Sequence, residues 1–203
     1  MNKALIKDAL VLFFITAIAG MLLGAVYDIT KEPIENQKQK TKEKAYETVF
    51  AEADSFEAFD YADAASTLEA AGIAPVSVTI DEVMAAKKGG DTAGYVMTVT
   101  SHEGYGGDIQ IAIGIQSDGT VNGISFLSIS ETAGLGMKAK EPAFYEQFSG
   151  KKTEAFAYTK SGASAENEID ALTGATITTN AVTNAVNGAI CYFRSIEGGG
   201  SNE

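Results

Sequence analysis

Residues 109–129 read Ile109-Gln110-Ile111-Ala112-Ile113-Gly114-Ile115-Gln116-Ser117-Asp118-Gly119-Thr120-Val121-Asn122-Gly123-Ile124-Ser125-Phe126-Leu127-Ser128-Ile129. Isoleucine stands at every second position from Ile109 to Ile115, with Gln110, Ala112, Gly114 and Gln116 between, which is the period of a strand with one apolar face. Asp118-Gly119 signals a two-residue hairpin turn, so the chain returns antiparallel from Val121 to Ile129. On the return, Ile124 and Phe126 have one parity and Leu127 and Ile129 the other. That predicts a bulge or burial on both faces.

Upstream, Tyr95, Met97 and Val99 alternate with Val96, Thr98 and Thr100 as a second strand, and Pro75 introduces a strand-like run from Val76 to Ile80. Ala62 to Ala71 reads as a short helix closed by Gly72. Downstream come a short helix around Pro142 to Phe148, a last short strand from Phe156 to Tyr158 and a polar loop from Ser161 to Glu168. Ile177, Ala181, Val182, Ala185, Val186, Ala189, Ile190 and Phe193 then recur at a helical period. There is no internal repeat, and the fold class is α+β, an antiparallel meander flanked by helices.

Ala9 to Tyr27 carries no charge. At ~1.5 Å per residue it just crosses a hydrocarbon core, for which about 20 residues are usual. Tyr27 stands where an interfacial aromatic is favoured. A cleaved signal peptide would use Lys3 and Lys7 as its charged region and Ala17 and Ala19 as its cleavage site. The apolar run continues past them, so an uncleaved single-pass transmembrane helix is expected. The chain then divides into an N-terminus 1–8, a transmembrane helix 9–27, a stalk helix 28–53 with Pro33 in its first turn, a domain 54–196 and a disordered tail 197–203. Val49, Phe50, Phe56 and Phe59 are expected to dock the far end of the stalk.

The net charge is −12, yet residues 1–44 hold seven lysines against five acidic residues, leaving −14 for the rest. A domain this acidic argues against nucleic-acid binding. One cysteine, Cys191, and one histidine, His102, exclude an intrachain disulfide, a Cys/His zinc site, a CxxCH haem attachment and a protein-ligated iron–sulfur cluster from this chain alone. No catalytic residue or metal ligand is expected.

Three segments carry chemistry. Asp170-Ala171-Leu172-Thr173-Gly174-Ala175-Thr176 places two hydroxyls at the start of the last helix, where free amides and the helix dipole favour a phosphate. Taken alone, the pattern favours a plain N-cap for Thr173 or Thr176. Gly104-Tyr105-Gly106-Gly107 permits close approach of a planar ligand to the backbone and offers the Tyr105 ring, although a plain flexible loop reads equally well. Glu131-Thr132-Ala133-Gly134-Leu135-Gly136 leaves amides open beside one apolar side chain and is not a dinucleotide fingerprint.

The 170–176 string resembles the flavin-attachment motif of the FMN-binding subunits of Rnf and Nqr complexes: Asp, two variable residues, Ser or Thr, then Gly, Ala and Thr. The order of anchor, GYGG, strand, DG turn, ETAGLG loop and Thr-Gly-Ala-Thr helix is also similar. The compact length favours the Rnf G subunits over the longer C subunits of Na+-translocating NADH:quinone reductases. The resemblance implies FMN joined by a phosphoester to Thr176, supported by Thr173, Gly174 and Ala175, with flavin contacts from Glu131, Thr132, Gly134, Leu135, Gly136, Tyr105, Gly106 and Gly107. Ala133 stands where the family often has Pro. A carboxylate beside a phosphodiester would repel it, so Asp170 is read as holding the turn through backbone N–H groups or as recognised by the installing enzyme.

The implied activity is that of an electron-transfer subunit in a membrane ferredoxin:NAD oxidoreductase coupled to Na+ or H+ translocation. Its implied partners are the other subunits of the complex and a flavin transferase using FAD and a divalent metal. The implied location is the inner membrane, with the domain extracytoplasmic. Lys31, Lys38, Lys40, Lys42 and Lys44 against Lys3 and Lys7 would place the domain inside by charge alone. The rivals are a reversible FMN-binding module and a structural subunit in which Thr176 only caps the helix.

Overall fold

The computed structural model describes residues 3–74 and 76–199 and divides into two units at Thr41/Lys42. The first unit is helical. Its helix, α1 (Lys3–Val49), crosses the division. From Ile6 to Ile29 every large apolar side chain is exposed, and the helix is long and apolar enough to cross a membrane. Pro33, expected to open a separate stalk helix, lies inside α1. Its missing N–H costs ~3 kcal/mol in a helix interior. Residues 25–49 contain no glycine and no other proline, so helix formers on both sides carry α1 through. The helix ends at Val49 rather than at residue 53. Phe50 N–H still reaches Tyr46 O (2.9 Å), and the Phe50 ring is buried in the second unit.

The second unit is built on a five-stranded antiparallel meander, β1 (Ser55–Ala58), β2 (Val78–Lys88), β3 (Asp91–Ser101), β4 (Ile109–Gln116) and β5 (Val121–Ser128), in that spatial order. One face takes Val99, Ile111, Ile113 and Val83 into a core closed by α2 (Ala64–Ala70) and α4 (Thr176–Gly199), to which the short α3 (Pro142–Tyr145) adds Phe144. The other face receives the last turns of α1 through Ala45, Tyr46, Val49 and Phe50. Gly114 makes that second contact feasible, because a Cβ there would lie 2.3 Å from Val49 O. Residues 200–203 of the expected tail lie outside the described residues, and α4 runs to Gly199.

The bulge expected in the return strand is present. Gln110 pairs with Ser128 but Ile111 with Phe126, so Leu127 is the extra residue, and it packs on the α1 side while Phe126 packs on the α4 side. The turn differs from expectation. Gln116 N–H bonds Thr120 O and Gly119 N–H bonds Gln116 O (both 2.8 Å), with Gly119 at φ 91°, so the loop is one residue wider than a two-residue hairpin. Asp118 accepts from Thr120 N–H (2.9 Å) and holds that wider form.

Strand β2 runs eight residues past Ile80, because a register shift at Asp81 flips the parity of its apolar positions. The loop before the motif also hides a strand. Glu168–Asp170 (β7) pairs parallel with Ala157–Thr159 (β6).

On the α1 side, the buried Tyr46 hydroxyl donates to Glu82 Oε2 (2.7 Å) and shares a bond with Thr98 Oγ1 (2.7 Å), while Lys42 pairs with Glu82. Burial pushes the Tyr46 hydroxyl far above the usual phenol range. Tyr46→Phe strips partners from two polar groups and should cost about 1–2 kcal/mol, read as a lower midpoint of thermal unfolding of the full chain in detergent.

Candidate functional site: an open helix N-terminus between two glycine loops

The 170–176 motif forms a turn that feeds α4. Ala175 N–H bonds Leu172 O (3.0 Å) and Gly174 sits at φ 77°, the type II arrangement that needs glycine at its third position. Thr179 braces it from inside the helix. Its Oγ1 accepts from Leu172 N–H (3.1 Å) and donates to Ala175 O (3.0 Å). The residue flanking the helix is therefore Ala175, which has no capping side chain. Among the described residues, neither Thr173 nor Thr176 makes a side-chain hydrogen bond, and the amides of Thr176, Ile177 and Thr178 have no protein acceptor. Sequence pattern alone favoured a cap. In the fold, the hydroxyls of Thr173 and Thr176 are spare.

The other two segments converge on this helix start through one carboxylate. Glu131, nearly buried, accepts Gly106 N–H at Oε1 (3.1 Å) and the Thr178 hydroxyl at Oε2 (2.9 Å). The glycines are required by proximity. A Cβ on Gly106 would stand 2.0 Å from Ser130 O, and one on Gly136 would stand 2.5 Å from Thr178 Oγ1. A Leu135 methyl lies 3.2 Å from where a Gly174 Cβ would be, so the second loop reaches across the motif's turn.

Beyond α1, four large apolar side chains are exposed among the described residues: Val76, Tyr105 (71%), Leu135 (43%) and Ile177 (52%). The last three each belong to one of the converging segments. Each leaves apolar surface in solvent on a segment that meets the helix start, whose open amides suit an anion. Two clefts of about 380 Å³, one at Phe59, Asp63 and Tyr192 and the other at Val49, Glu52 and Lys88, include none of these residues.

Two family profiles match the chain, the RnfG N-terminal region over residues 1–49 and the FMN-binding domain over residues 104–191. The G subunit of the Na+-translocating ferredoxin:NAD+ oxidoreductase complex of Acetobacterium woodii is 33% identical over 96% of this chain and 94% of its own length. This chain belongs to the family of Rnf G subunits.

The G subunit of the proton-translocating ferredoxin:NAD+ oxidoreductase complex of Clostridium ljungdahlii is also 33% identical, over 90% of this chain and 88% of its own length, so identity at this level does not track the ion in the name. Among solved structures, the C subunit of the Na+-translocating NADH-quinone reductase of Parabacteroides distasonis overlaps 55% of this chain and 61% of its own at a TM-score of 0.45 and 28% identity, too loose a match to add to the assignment.

Within this Rnf G subunit, Asp170 acts elsewhere than its own turn. Its Oδ1 accepts Ala163 N–H (2.6 Å) and its backbone N–H donates to Gln147 Oε1 (2.6 Å), so the carboxylate secures the preceding loop. Glu168 does the same, and its bonds from Ser164 and Ala165 N–H hold its carboxyl below the usual range. Sequence reasoning missed Thr178 and Thr179 and counted Ile177 in the core stripe. The signal was present, since four β-branched residues in one helical turn, three of them threonines, are poor helix formers and need another reason to be there.

The Thr132–Leu135 turn has the same type II form, with Leu135 N–H on Thr132 O (3.1 Å) and Gly134 at φ 76°. Ala133 occupies its second position, where proline's fixed φ fits. Ala133→Pro should raise stability by about 0.4–1 kcal/mol by restricting the unfolded chain, with equilibrium denaturant unfolding as the check.

Proposed function

We propose that this chain is an electron-transfer subunit carrying FMN on Thr176 through a phosphoester, inside a membrane ferredoxin:NAD oxidoreductase coupled to Na+ or H+ movement. The observation that carries the reading is the spare Thr176 hydroxyl at an uncapped helix start, with exposed Tyr105, Leu135 and Ile177 on the segments that meet there. A residue spent on capping would be hydrogen-bonded, and a residue spent on packing would be buried.

In this reading Thr176 Oγ bonds to the FMN-side phosphorus of FAD, the bond from that phosphorus to the bridging oxygen breaks, AMP leaves with that oxygen, and the hydroxyl proton is released. A separate transferase with a divalent metal carries out the exchange. The amides of Thr176, Ile177 and Thr178 would stabilise the single negative charge of the linkage. Thr173 and Gly174 form the turn, and the backbone of Gly104–Gly107 and Thr132–Leu135 would help hold the flavin. Tyr105, Leu135 and Ile177 would offer the flavin apolar surface. When bound, the flavin supplies the redox chemistry, and the protein sets its position and solvation.

The domain is extracytoplasmic in this reading, where a tether prevents loss of a cofactor that is hard to replace. The lysines after α1's apolar stretch oppose that orientation, and protease accessibility of sealed vesicles decides between the two. The functional test is co-expression with a flavin transferase followed by a denaturing gel. Ultraviolet fluorescence on the band supports covalent attachment. Flavin that runs with the dye front points to reversible binding, and a colourless native protein points to a structural subunit.

A further inference from the structure

We infer that Glu131 is a positioning residue that clamps the Gly104–Gly107 loop to the first turn of α4 and does not itself contact the flavin. The resemblance placed Glu131 among the flavin contacts. Its geometry assigns both oxygens to the protein, Oε1 to Gly106 N–H (3.1 Å) and Oε2 to the Thr178 hydroxyl (2.9 Å). The packing leaves it little freedom. Cβ atoms added at Gly104 and Gly136 would lie 2.9 and 2.7 Å from its carboxylate oxygens, so glycines surround the group on two sides.

Thr178 lies two residues after Thr176 on the same turn of α4. The carboxylate therefore sets the distance between the tether point and the loop that carries Tyr105. A buried carboxylate bonded at both oxygens ties the loop backbone to a helix side chain more rigidly than an apolar contact does, because losing either partner leaves a polar group unsatisfied. Asn184 adds a second tie further along α4, with its Nδ2 on Glu103 Oε2 (2.6 Å). The loop is thus held at two points on the helix that bears Thr176.

The flavin arm of the test rests on the Thr176 reading, and the exchange arm stands without flavin. Full-length Glu131→Ala, Thr178→Val and Glu131→Gln are compared with the unsubstituted protein. Amide hydrogen exchange at Gly106 should speed up about tenfold in the first two. Glu131→Gln should stay near the unsubstituted rate, because its amide accepts Gly106 N–H and donates to the Thr178 oxygen. In flavin-loaded protein, gel fluorescence should persist in all three, while the visible circular dichroism of the flavin drops at least about twofold in Glu131→Ala and Thr178→Val only, as expected of a lost positioning bond. Combining the Ala and Val changes should add little to either alone.

Unchanged Gly106 exchange in both Glu131→Ala and Thr178→Val overturns the clamp, as does a Gln variant as loose as the Ala variant. Absence of gel fluorescence from the unsubstituted protein instead overturns the Thr176 reading and leaves the exchange result to decide the clamp. If Glu131→Ala does not fold, Thr178→Val carries the same comparison.

Discussion

Thr176→Ala should abolish covalent flavin completely while leaving the fold intact. Thr176 is the first residue of α4, its side chain makes no hydrogen bond among the described residues, and Ala175 occupies the flanking position. Removing the hydroxyl therefore strips no cap and opens no core. Alanine is a better helix former than threonine by a few tenths of a kcal/mol, so the unfolding midpoint should stay level or rise slightly. Without an oxygen at that atom the phosphoester has no second partner, and neighbouring Thr178 and Thr179 hydroxyls are buried and bonded elsewhere. Thr173→Ala, on the exposed turn, should reduce incorporation without ending it. Gel fluorescence normalised to stained protein measures both. A Thr176→Ala band as bright as the unsubstituted one would remove the site assignment.

Gly106→Ala should be among the most damaging single methyl groups in the site. The added Cβ would lie 2.0 Å from the backbone oxygen of Ser130 and 2.9 Å from its carbonyl carbon. No rotamer change relieves a conflict with backbone, so one of the two loops must move, and the bond from Gly106 N–H to Glu131 goes with it. Overpacking of this kind costs about 1–3 kcal/mol, and in a chain of this size each kcal/mol lowers the unfolding midpoint by about 2–4 °C. Gly107→Ala makes a useful contrast. It has open space around its Cβ position but φ 116°, so any loss there reports backbone strain rather than collision. A Gly106→Ala protein with an unshifted midpoint would contradict the packing described between the two loops.

The sheet was legible because its apolar face is continuous. The isoleucines of β4 alternate without a break, and the parity switch at Leu127 announced the bulge that the fold contains. Where parity breaks without such a marker, the pattern goes silent. Asp81 interrupts β2 and hid its last eight residues, and the three-residue β7 is too short to show any period. Pro33 misled for the opposite reason, since a local helix breaker was outweighed by the uninterrupted helix formers around it.

In the site, the three segments were visible as motifs, but their junction was not. Glu131 joins residues 106 and 178, far apart in sequence, and no periodicity records such a bond. Capping, too, depends on the backbone. Which threonine would be spare followed only once Ala175 was seen to flank the helix.

The most direct measurement is the intact mass of the full chain isolated from membranes of its native host. The account predicts a mass equal to the polypeptide plus one FMN less one water, with fragmentation placing the addition on Thr176. A mass equal to the bare polypeptide, or an addition located on any other residue, would contradict it.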